Sequence, residues 1–138
     1  MNEIIKGMAN ASEAIQENFE EQGEKITAVE QSIELLDFSD SLTTKTGVTD
    51  LTALKVGRLH MITFTYKPDQ TGFTVGVISG MPAEYRPANY ISGSVSTAQR
   101  TSDSSLGIST VLRETGFINV VAPSVPTSEM IFSFVWIA

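Results

Sequence analysis

At 138 residues with no cysteine and a single histidine, the chain has room for one domain plus an appendage. It excludes disulfides, thiol chemistry and any cysteine- or histidine-rich metal site. The net charge of −7 is uneven: residues 1–40 hold ten acids against Lys6 and Lys25, a net −8, whereas the remainder nets +1.

The acidic excess reads as a solvated helix exterior, with a docking surface for a basic partner as the alternative. No basic stripe is available to neutralise phosphates, so nucleic acid is not expected as a partner. No apolar run approaches the roughly 18–20 residues of a membrane span. The first residues lack a basic region followed by an apolar core, so neither a membrane contact nor a secretion signal is expected.

The first element is a long helix. Ile5, Met8, Ser12, Ile15, Phe19, Gln22, Ile26, Val29, Ile33 and Leu36 are spaced alternately three and four residues apart, and eight of the ten are apolar. That spacing winds an apolar seam slowly around a helix and needs a second helix to cover it. The chain offers no other helix, so the expected partner is a further copy of itself or another protein. Isoleucine in both seam sets shifts the preference from dimers to trimers or tetramers. Ser12 and Gln22 are polar seam positions of the kind that set register. Gly7 and Gly23 each weaken the helix by roughly 1 kcal/mol, so a kink or break is expected near Gly23. The competing arrangement is a monomer whose helix lies on its own C-terminal domain.

The expected organisation is therefore α+β and mostly β. Residues 1–38 form a docking segment and trimeric helix, residues 39–57 a neck, and residues 58–138 a head. The polar run Ser39 to Gly47 and the weakly alternating VTDLTALKVG of residues 48–57 read as connector and extended neck. From Leu59 the signal is β: LHMITFTYK, FTVGVI with Phe73, Val75 and Val77 on one face, STVL, FINVVA and MIFSFVWI. Turn signals separate them at residues 68–72, 79–80, 114–116 and 123–128. Short strands at this spacing predict an antiparallel sandwich of jelly-roll type or a small barrel.

Ile78-Ser79-Gly80-Met81-Pro82-Ala83-Glu84-Tyr85-Arg86-Pro87 resembles a segment common in C-terminal domains of tail and baseplate proteins from phages of Gram-positive bacteria. Its pattern there is leucine-proline-x-glycine-tyrosine-arginine-proline. In those domains a strand pair around a turn glycine and a last apolar strand follow, matched here by Arg113 to Val120 and Ile131 to Ala138. Met81 stands for the leucine and Glu84 for the glycine, which leaves the turn geometry open. Lys6 to Ile15 is similar to the N-terminus of lower baseplate receptor-binding proteins of lactococcal siphophages.

That resemblance implies a homotrimer at the tail tip of a virion. Its N-terminal segment, Ile4, Ile5, Met8 and Ser12 here, would dock into an upper baseplate or tail protein. Ile15, Phe19, Gln22, Ile26, Val29, Ile33 and Leu36 would form the trimer interface. The head would bind host cell-wall polysaccharide.

The catalytic pattern is poor. His60 lies between Leu59 and Met61 in a strand and reads as structural, and no glycine-x-serine-x-glycine turn exists. Glu84, Asp103, Glu114 and Glu129 all fall in turns rather than facing one another across a cleft. A non-catalytic protein without metal or cofactor is expected. Saccharide binding asks for an aromatic face and planar or charged polar groups. The candidates are Gln99, Arg100 and Asp103 in a polar loop, Trp136 near the end of the last strand, and Arg86 and Tyr90 beside the proline-rich segment. A solvated connector, a core tryptophan and a purely structural segment are the respective alternatives. For the whole chain the alternatives are a structural tail trimer without a ligand, and a trimeric head of the C1q and tumour-necrosis-factor kind.

Overall fold

The computed structural model describes residues 11–32, 34–97 and 107–138, with the side chains of 28–32 and 97 excluded. The chain divides into two compact units, residues 1–34 and 35–138. In the first, α1 (Ala11–Ser32) is continuous for 22 residues, about 33 Å. Gly23 does not break it. A Cβ there would meet nothing within 4 Å, and the hydroxyl of Thr27 donates to the Gly23 carbonyl at 3.0 Å. Lys25 pairs with Glu21 one turn earlier at 2.8 Å and holds that carboxyl below its usual range. Ile4, Ile5, Met8 and Ile33, and the side chain of Val29, lie outside the described residues.

In the second unit, ten strands are formed by the described residues, in two antiparallel sheets. One sheet holds β1 (Leu35–Asp37), β3 (Thr49–Val56), β4 (Leu59–Tyr66), β10 (Met130–Ile137) and β7 (Ser94–Thr97), in that order. The other holds β2 (Thr43–Thr44), β5 (Gly72–Ser79), β9 (Ile118–Ala122), β8 (Ser109–Leu112) and β6 (Ile91–Ser92). Period-two alternation builds the core. Ile62, Phe64 and Tyr66 of β4 and Phe132, Phe134 and Trp136 of β10 join Val77, Leu112, Ile118 and Val120 from the other sheet in one buried cluster. Phe64 stacks on Phe132 with ring centroids 5.1 Å apart. The layering is compatible with a β-sandwich, as expected from the strand pattern.

Three expectations are corrected. First, the helical spacing does not run to Leu36. That residue lies in β1 opposite Lys55 and is 40% exposed, so it is not a helical seam position. Three-four spacing of apolar residues cannot distinguish a last helical turn from a short strand. Second, residues 49–56 are not a free neck. β3 is paired on both sides, and Ala53, wholly buried, donates its N–H to the Ser39 hydroxyl oxygen at 2.8 Å. The unit boundary therefore falls at Glu34/Leu35 rather than after residue 38 or 57. The alternation was faint because Leu54 and Val56 are apolar on the outer face as well.

Third, Phe73 and Val75 do not share a face with Val77. They are 51% and 62% exposed, whereas Thr74, Val77 and Ile78 are buried. The register against β9 shifts between Thr74 and Ile78. Gly76 makes the shift with φ +64°, and its N–H donates to the Asn119 side-chain oxygen at 2.8 Å. A bulge at a left-handed glycine moves the following side chains to the opposite face.

Candidate functional site

The strand registers give the head two ends. Leu35 enters opposite Val56, beside the β3–β4 turn, and Ile137 of β10 finishes opposite Leu59. This entry end also carries the 80–90 connection and the β8–β9 hairpin. At the far end lie the turns 45–48, 67–71 and 123–129, together with the two residues that flank 98–106. Thr97 pairs with Met130 there, and Ser109 pairs with Val121.

The entry end is built as a locked aromatic cluster. Trp136 is 5% exposed, stacks on His60 with centroids 5.3 Å apart, and donates its indole N–H to the Tyr85 carbonyl at 3.0 Å. Tyr85 stacks on Phe38 at 4.5 Å, and the Lys55 ammonium lies 5.8 Å from the Tyr85 ring centroid. Residues 83–85 form a 3-10 turn, in which Glu84 needs no left-handed backbone to replace a glycine. The Arg86 Nε donates to the Met81 carbonyl at 2.8 Å, and Met81 is wholly buried. Gly116 closes against the same segment with φ +83°, where a Cβ would come 2.8 Å from the Met81 Cβ.

Among the expected sugar-binding side chains, Trp136 is thus corrected. Its ring faces belong to the core and its N–H is taken, because even-numbered residues of β10 all point inward. Arg86 spends its Nε on holding the proline-rich turn. Among the described candidates Tyr90 is the one that stays open, at 63% exposure, with the Arg113 guanidinium 5.9 Å from its ring centroid. Gln99, Arg100 and Asp103 lie outside the described residues. Their chain neighbours, however, sit at the far end, whereas Trp136 is six residues along β10 from Met130, about 20 Å. The described candidates Trp136, Arg86 and Tyr90 thus belong to the entry end, whereas Thr97 and Ser109, which bracket the other three in sequence, belong to the far end.

His60 is structural in position and half-satisfied in chemistry. It is 1% exposed, and its Nδ1 lies 3.0 Å from the Arg58 carbonyl. A carbonyl only accepts, so Nδ1 carries the proton, and the Nε2 lone pair is left buried without a partner. Burial pushes the imidazole below its ordinary 6.5, the Lys55 charge acts in the same direction, and the bond to Arg58 opposes them. Among the described residues, no serine hydroxyl or carboxylate is bonded to it. Among the described residues, no group of three or more histidine, aspartate or glutamate side chains is placed to hold a metal.

The far end has the opposite character. Lys67 donates to the Thr127 carbonyl at 3.1 Å, tying two turns together, and Lys45 lies 3.9 Å from an Asp69 oxygen. The turn signal at residues 68–72 most simply reads as a hairpin with Lys67 and Asp69 at its tip, but β4 and β5 belong to different sheets. Their turn crosses from one sheet to the other, as does 123–129. Spacing alone hid this, since a crossover and a hairpin use the same proline and glycine signals. What this end offers chemically is ammonium and carboxylate groups on short, mutually braced turns.

On α1, Ile15, Phe19 and Ile26 are 42%, 67% and 59% exposed on the side that also carries Gln22. Ile15, Phe19 and Gln22, with Asn18, line a shallow open depression on the helix. No helix among the described residues is long and apolar enough to cross a membrane. No family model matches this chain, and no curated protein is similar to it.

Proposed function

We propose that this chain is a homotrimeric, non-catalytic adhesion protein of a phage tail tip or baseplate, whose head binds a polysaccharide of a Gram-positive cell wall. The observation that carries the assembly is the exposed stripe of Ile15, Phe19 and Ile26 on a 22-residue helix. Large apolar side chains gain roughly 1.5–3 kcal/mol each on burial, which favours a bundle of parallel copies. In this reading the head is a jelly-roll-like sandwich, and Ser12 belongs to the segment that docks into an upper baseplate protein. Three heads in parallel convert a weak sugar contact into firm attachment.

The binding region is the far end, with Gln99, Arg100 and Asp103 contributed by the 98–106 connection. The braced turns carrying Lys45, Lys67, Asp69 and Thr127 support it, because they supply the polar groups that sugar hydroxyls need.

The test is saturable binding of the full chain to purified cell-wall polysaccharides from Gram-positive hosts, lactococcal ones included. Arg100→Ala with Asp103→Ala should abolish binding and leave the melting temperature nearly unchanged. A trimer that adsorbs to no wall would favour the second reading, a structural tail part. Ile26→Asp with Ile33→Asp should give monomers in light scattering, and surviving trimers would show that the helix does not drive assembly.

A further inference from the structure

Sheet pairing across β1, β3, β4 and β10 places Leu35, Val56, Leu59 and Ile137 in one row on the outer face of their sheet. They are 62%, 40%, 47% and 67% exposed. The next row on that face contains Met61 and Val135, 36% and 59% exposed. Beyond it the face turns to hydroxyls, with Thr52, Thr63, Ser133 and Ser94 aligned across the strands. The apolar part is thus confined to the entry end. It contains no aromatic ring, and the carboxylate of Asp37 at its β1 edge already accepts the Ser39 N–H at 2.9 Å, so it lacks the aromatic face that a sugar platform requires.

We propose that this outer face is covered by the head of a second copy of this chain. The inference rests on the parallel assembly proposed above, and chain reach supplies the argument. Parallel helices in contact have axes about 8–10 Å apart. Leu35 follows the last residue of α1 by three positions, which span at most about 10 Å. The copies of Leu35 in a bundle therefore lie within roughly 30 Å of one another. A head of about 100 residues has a radius of gyration near 13 Å, so its width is comparable with that separation.

This spacing brings the heads flank to flank, and the apolar rows begin at the tether point itself. The outer face of the other sheet is a poorer match. Its exposed Phe73 and Val75 follow Gly72, which pairs with Ala122 at the far end. Patches of exposed apolar side chains that start where copies are held together are what an interface between copies requires.

The absence of cysteine makes the test direct. Single cysteines are introduced into the full chain at Val135→Cys on the proposed face, Val75→Cys on the opposite sheet and Val125→Cys in a far-end turn. Reaction with a soluble maleimide is then timed at a concentration where light scattering gives the oligomeric state. The expected result is a trimer in which the residue-135 thiol reacts about tenfold more slowly than the other two. Adding Ile26→Asp and Ile33→Asp should make the chain monomeric and restore its rate. A trimer with equal rates at all three positions, or with protection at residue 75 instead, overturns the proposed face and leaves the assembly standing. A monomeric unsubstituted chain overturns both.

Discussion

The two ends of the head solve opposite problems. At the entry end His60, Phe38, Tyr85 and Trp136 interlock, and the Trp136 indole N–H, the Arg86 Nε and the His60 Nδ1 are each bonded to a backbone carbonyl of the head. At the far end the turns carry exposed contacts such as Lys67 to Thr127 and Lys45 to Asp69. Aromatic and arginine side chains that look suited to recognition are used here for stability. The groups left available for recognition are those that stability does not need.

That contrast breaks most readily at Trp136. Trp136→Ala removes a buried ring and the hydrogen bond to Tyr85, and should cost about 3–5 kcal/mol in denaturant unfolding. A cost below about 1 kcal/mol would mean the entry end is not locked as described. Gly116→Ala comes next. Its left-handed backbone and the 2.8 Å approach to Met81 predict a loss of roughly 1–3 kcal/mol. An unchanged midpoint would show that the hairpin can move away from Met81.

The third effect follows pH. His60 has a folded-state pKa below the unfolded 6.5, so the unfolded chain binds the extra proton first. The stability it contributes is complete above about pH 6.5 and is lost as pH falls from there toward the lower folded value. Unfolding midpoints between pH 7 and 5.5 should therefore drop, and His60→Phe should flatten the profile over that range. A wild-type profile that is level across the same interval would contradict the buried, unpartnered Nε2.

The smallest stability effect is expected at the far end, where Lys45→Ala or Asp69→Ala removes an exposed pair of the kind that contributes little. Melting temperature should hold while wall adsorption weakens. A falling melting temperature with unchanged adsorption would invert the assignment of the two ends.

Much of this fold is legible in the residues themselves. β4, β5, β8, β9 and β10 fall within a residue or two of the runs read as strands, and the inward face of β10 follows from Met130, Phe132, Phe134 and Trp136 recurring every second position, whereas β6 and β7 lie where the polar composition of residues 91–97 reads as loop. The helix is legible from the seam up to Ser32. Leu36 was not, because a short strand next to a helix continues an apolar spacing by coincidence. The face reversal at Gly76 was equally hidden, since a bulge leaves composition unchanged and alters only register.

The sequence by itself determined element type, because local spacing decides which side chains a helix or strand can bury together. It also determined that α1 carries an apolar stripe, which no second helix among the described residues covers. Only the tertiary structure decided which end of the head each candidate residue occupies. Trp136 and the neighbours of the 98–106 connection sit at opposite ends of the sheets because antiparallel pairing sends successive turns to alternate ends. That is a long-range fact, and no spacing within a strand contains it.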